Sequence, residues 1–84
     1  MKLVVVTPQN KLEYVVQWIE AHTQTGSLVI KPGHAPMILM LSFGLDFSFL
    51  LDSGEKRVIS LIRPGFLEVN RDSAVALLSQ EVTL

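Results

Sequence analysis

Two histidines, a scatter of serines and carboxylates, and one proline-bracketed loop are the side chains of this sequence with chemistry to offer. His22 and His34 would be natural metal ligands or general bases. They form no H-x-x-x-H pair, however, and no cysteine is available to complete a ligand set. Ser27, Ser42, Ser48, Ser53, Ser60, Ser73 and Ser79 include none in a G-x-S-x-G elbow, the strained turn that exposes a nucleophilic hydroxyl. The acids stand singly, without the close pairing that drives two carboxyl pKa values apart for acid and base roles. There is no glycine-rich cradle for phosphate. Catalysis, a metal and a cofactor are therefore not expected.

The remaining candidate is Lys31-Pro32-Gly33-His34-Ala35-Pro36. Two prolines around Gly-His-Ala make a stiff loop that loses little entropy on docking and can hold a histidine outward. A rigid turn between strands would look the same, but a preformed loop is what a binding module uses. The segment that follows, Met37-Ile38-Leu39-Met40-Leu41, is apolar at every position. One face of such a strand belongs in a core, and the other needs a second layer or a partner.

These residues must be carried by one small domain, residues 1–84. The chain is 49% hydrophobic and only 18% charged, too apolar for a disordered tail. Turn chemistry recurs at Thr7-Pro8-Gln9-Asn10, Thr23-Gln24-Thr25-Gly26, Lys31-Pro32-Gly33, Asp52-Ser53-Gly54-Glu55, Arg63-Pro64-Gly65 and Asn70-Arg71-Asp72-Ser73. Short runs of Val, Ile, Leu and Phe lie between, a spacing that predicts an all-β sandwich or barrel. Leu45–Leu51 alternates, with Leu45, Phe47, Phe49 and Leu51 on one face and Asp46 and Ser48 on the other. It forms a predicted hairpin with Arg57–Ile62, and Phe66–Val69 another with Ala74–Leu78; Lys2–Val6 and Leu28–Ile30 are shorter strands. Leu12, Val15, Val16 and Ile19 fit helical spacing, yet period two puts Leu12, Tyr14, Val16 and Trp18 on one face. The β-branched and aromatic content favours strand over the helical alternative.

Charge and hydropathy narrow the partners. Seven Lys and Arg against eight Asp and Glu are scattered, with no basic face to displace counterions from a nucleic acid. The longest apolar stretch, Ala35 to Leu51, is broken by Pro36, Ser42, Gly44, Asp46 and Ser48, so no membrane insertion is expected. Lys2-Leu3-Val4-Val5-Val6 is cut short by Thr7-Pro8, so no signal or transit peptide is expected either.

Pro32-Gly33-His34-Ala35-Pro36-Met37-Ile38, then Gly65-Phe66-Leu67-Glu68-Val69 and Ala74-Val75-Ala76-Leu77-Leu78, resembles the epsilon subunit of the rotary F-type ATP synthase. That family's amino-terminal domain reads P-G-H-A-P-L-[LM], G-x-L-E-V and x-V-T-V-L in this order. Gly26-Ser27-Leu28-Val29 stands where the family has Gly-Glu-x-Gly, and Phe43-Gly44 where it has proline-glycine. The α-helical hairpin that usually follows has no counterpart before Leu84.

The resemblance implies a flattened two-sheet β-sandwich of about ten short strands. It further implies a non-catalytic rotor-stalk subunit that clamps the gamma subunit onto the c-ring, coupling proton flow to ATP synthesis. Such a subunit is peripheral, at the cytoplasmic face of the bacterial plasma membrane. The implied contacts with gamma and the c-ring loops are Thr7, Ser27, Lys31, Pro32, Gly33, His34, Ala35, Pro36 and Leu39, with Leu39 and Thr7 facing gamma. Without the hairpin, no nucleotide binding and no helix insertion to stop rotation are expected. The rival readings are a stand-alone β-sandwich adaptor and a small barrel enzyme using His34 with Asp46 or Glu68.

Overall fold

A computed structural model of the chain describes residues 1–82. Eight strands follow in order: β1 (Lys2–Val6), β2 (Lys11–Thr23), β3 (Gly26–Ile30), β4 (Met37–Leu41), β5 (Asp46–Leu51), β6 (Lys56–Ser60), β7 (Gly65–Val69) and β8 (Ser73–Leu78). The path of hydrogen-bonded neighbours runs β4-β7-β8-β1-β2-β5-β6, with β3 on the other side of β2. It folds over on itself at β2. The first half of β2 closes sheet A (β4-β7-β8-β1-β2), while its second half lies in sheet B (β3-β2-β5-β6). All pairs are antiparallel except β1 with β8. The molecule measures 28 × 27 × 19 Å, and the short axis is what two sheets about 10 Å apart with their outer side chains occupy.

Eight strands replace the ten expected because one long strand serves both sheets. The device is a bulge in β2, where the register with β5 shifts between Val16 and Trp18. Before it, Leu12, Tyr14 and Val16 turn inward; after it, Ile19 and Ala21 do. The extra residue reverses the alternation, so Trp18 falls on the outer face of sheet B rather than with Tyr14 and Val16. It also explains the helix-like spacing of Leu12, Val16 and Ile19: a bulged strand places inward residues at i, i+4 and i+7.

The core is built from both sheets. Phe47 and Phe49 of β5 are its bulkiest members, fully buried and 5.8 Å apart between ring centroids. Tyr14 meets Phe49 at 5.1 Å from the neighbouring strand, a tilted aromatic contact. Leu45, expected on the same face, lies before the start of β5 and is exposed. Ser48 does point away from the core, but its cross-strand neighbours Glu20 and Val58 flank so small a side chain that it is buried. Among the described residues no helix is long and apolar enough to cross a membrane.

Candidate partner-binding surface

The proline-bracketed loop is shaped as its residue types demand. Pro32 and Gly33 sit at the centre of a turn closed by His34 N–H donating to Lys31 O at 3.2 Å. Gly33 has φ 86°, the positive value that a type II turn needs after a proline that presets the first position. Its N–H donates to Arg71 O at 2.6 Å, fastening the loop to the β7–β8 turn. Lys31, Pro32, Gly33, Ala35 and Pro36 are exposed. His34 is half-buried, with Nδ1 2.8 Å from Ala35 O. It forms no ion pair or hydrogen bond with Asp46 or Glu68. Among the described residues no group of acids and histidines could hold a metal ion.

The other expected contact residues do not gather at this loop. Lys2 N–H donates to Asp72 O, so the start of β1 shares the loop's end of sheet A, and Thr7 lies at the opposite end. Thr7 is buried, its hydroxyl donating to Glu81 Oε1 at 2.7 Å and accepting from Asn10 N–H at 2.9 Å. Ser27 is exposed on the outer face of sheet B, near the end of β3 remote from Lys31, with Oγ 2.7 Å from His22 Nδ1. Leu39 pairs with the buried Leu67 and points inward like Leu41, two residues on. Thr7 and Leu39 thus point to the inner side of sheet A. The alternation of β4 decides this: burying Leu41 commits Leu39 to the interior and turns Ile38 and Met40 out.

What sheet A presents outward is mostly apolar across four strands, with Glu68 the charged residue in its two central rows. One cross-strand row runs Met40–Phe66–Leu77–Val6, and the next runs Ile38–Glu68–Val75–Val4. Ile38 is 73% exposed, Met40 55%, and Phe66 and Leu77 47% each. On β8 the usual size order is reversed, with Ala74 and Ala76 buried and the larger Val75 and Leu77 outward. A face with this composition, on a sheet that need cover only one side, marks an interaction surface.

Residues 1–83 match the family model described as ATP synthase, Delta/Epsilon chain, beta-sandwich domain. The chain belongs to this family. An ATP synthase epsilon chain from Anoxybacillus flavithermus is 36% identical over 78 residues, covering 92% of this chain and 56% of that protein. This delta/epsilon sandwich therefore spans about half the length of the curated relative it matches. A chain of the Euglena gracilis mitochondrial ATP synthase, solved as OSCP/F1/c-ring, superposes with a TM-score of 0.78 at 21% identity, over 95% of this chain and 51% of that one. A chain of the Tetrahymena thermophila mitochondrial ATP synthase central stalk and c-ring gives 0.76 at 18% identity, over 95% and 63%. Those two likenesses are of fold.

In this delta/epsilon sandwich the sequence singled out the loop and the Met37–Leu41 strand, but took Leu39 rather than Ile38 and Met40 for the outward face and did not reach Phe66 and Leu77. The signal was present in the alternation of Gly65–Val69 and Ala74–Leu78. Alternation alone separates two faces without saying which is inner, and the alanines of β8 make the outer face the larger one.

Proposed function

We propose that this domain is a non-catalytic element of the central stalk of a bacterial F-type ATP synthase, joining the gamma subunit to the c-ring. The observation that carries the reading is the match of residues 1–83 to the delta/epsilon family. Two features of the fold support it. The Lys31–Pro36 loop is pinned by the Gly33–Arg71 hydrogen bond, so its shape costs little to organise on docking. The outer face of sheet A offers a second, apolar contact. By resemblance to the family, the loop meets the c-ring loops and gamma, with His34 and Lys31 at the contact. The chain's part is mechanical: a stiff sandwich gripped at two surfaces transmits rotation without chemistry of its own. It sits at the cytoplasmic face of the membrane through its partners and inserts no segment itself.

The test is reconstitution. Purified domain is expected to retain the cognate gamma subunit in a pull-down. It should also restore ATP-driven proton pumping to membranes whose synthase has been stripped of its epsilon chain. A domain that binds neither gamma nor the c-ring refutes the reading.

A further inference from the structure

Natural sheets guard their edges with charges, prolines or bulges, because an open edge presents unpaired main-chain groups to any passing strand. Strand β4 is the edge of sheet A and has none of these: Met37–Leu41 contains neither a charge nor a proline. Its one strand partner is β7. Just past its end, Ser42 N–H donates to His22 O of β2 at 3.0 Å, and among the described residues no main-chain hydrogen bond crosses that edge between Met37 and Leu41. The same bond sets the parity. N–H groups two residues apart on a strand point the same way, so those of Met40 and Ile38 face this open side.

The open side borders a groove. Thr23, Gln24 and Thr25, the tip of the β2–β3 hairpin, stand across from Ile38, Leu39 and Met40 and border an open depression of about 280 Å³. The tip is satisfied within itself, with Thr23 Oγ1 3.1 Å from Thr25 Oγ1 and from Gly26 O. It does not reach over to pair with β4.

We propose that β4 is a docking edge for a single extended, uncharged segment of the gamma subunit, which adds as a further strand to sheet A in this groove. The proposal rests on the stalk reading and specifies how the partner is held. The chemistry selects the occupant: unpaired main-chain N–H and C=O groups are matched by another extended main chain. Every side chain lining the groove is uncharged, so a charged segment would be desolvated without a counter-ion. A second copy of this chain fits less well. Five paired residues make a contact only about 17 Å long, and the hairpin tip Thr23–Thr25 borders that same edge.

Amide hydrogen exchange of the domain with and without the cognate gamma subunit tests this, together with Met40→Pro and Met40→Leu. Proline removes an N–H that points into the groove and is not used by β7, so the fold is retained. The expected result is that the Ile38 and Met40 amides slow at least about tenfold on binding. Met40→Pro is expected to weaken binding about tenfold more than Met40→Leu does, because leucine alters the side chain but keeps the N–H. If gamma binds but those amides are unchanged and Met40→Pro binds normally, the docking edge is wrong and the stalk reading stands. If gamma does not bind the parent domain, both fail. Protection that grows with the concentration of the domain alone assigns the edge to a second copy and overturns the proposal. Should Met40→Pro not fold, the exchange of the parent decides.

Discussion

The Thr7 hydroxyl donates a 2.7 Å hydrogen bond to Glu81 Oε1, joining two residues from opposite ends of the chain. The same carboxylate accepts from Gln9 N–H and Asn10 Nδ2, each at 2.9 Å. Its neighbour Gln80 accepts from Ile62 N–H at 2.9 Å and donates to Ser60 O at 2.9 Å. Two adjacent side chains therefore stitch the segment after β8 to the β1–β2 turn and to the link between β6 and β7. Among the described residues, the path of the chain after β8 is set by these bonds rather than by a strand.

A pH dependence follows from the Glu81 cluster. The Thr7 hydrogen bond above all, with those of Asn10 and Gln9, holds the Glu81 carboxyl below the usual carboxylate range, against an opposing effect of desolvation. A depressed folded-state pKa contributes stability that is present above the unfolded value and lost as pH falls through the folded one. Glu81→Gln is thus expected to lower the melting temperature at pH 7. The gap from the parent should close as the solution is acidified below the carboxylate range. Circular dichroism melts across that range check it; a gap that widens on acidification contradicts the assignment.

Neighbouring substitutions on β4 should have opposite consequences. Leu39→Asp places a carboxylate on the inner face beside Leu67 and is expected to cost roughly 1–3 kcal/mol of stability. Ile38→Asp, on the exposed face, should change stability by less than about 0.5 kcal/mol yet weaken gamma binding. Urea titration and a pull-down of the two variants separate the effects.

The aromatic centre is the fold's most sensitive point. Phe49 is fully buried between Tyr14 and Phe47, so Phe49→Ala is expected to cost about 3–5 kcal/mol. That is a large share of the ~5–15 kcal/mol available to a domain of this kind, and the variant should be substantially unfolded at 37 °C. Well-dispersed amide resonances at that temperature would argue against it.

At the loop, Gly33→Ala tests conformation rather than contact. An added Cβ meets no atom within 4 Å, but φ 86° is a conformation that L side chains adopt only under strain. A cost of about 1–2 kcal/mol is expected, whereas the exposed Lys31→Ala should be nearly neutral. Thermal unfolding distinguishes them, and equal stability of the two variants would mean the turn relaxes.

Local rules read most of the strands from the sequence. Lys2–Val6 and Met37–Leu41 lie where the apolar runs between turn residues put them, and the hairpins β5–β6 and β7–β8 follow from short-range turn chemistry. The loop Lys31–Pro36 was legible for the same reason, since Pro32 and Gly33 carry their backbone preferences with them. What the sequence could not determine is which side of an alternation faces inward where both sides are apolar, as on β4. Leu39 and Ile38 are equally apolar, and the choice between them was made by the burial of Leu41 opposite Gly65 in a sheet whose other strands come from elsewhere in the chain. The β2 bulge is of the same kind. Leu12, Val16 and Ile19 kept a helical spacing open until one strand had to belong to two sheets, and only the packing of those sheets required the extra residue. The Thr7–Glu81 bond lies furthest from sequence reasoning: neither residue signals the other across 74 positions, and the parallel pairing of β1 with β8 is what brings their segments together.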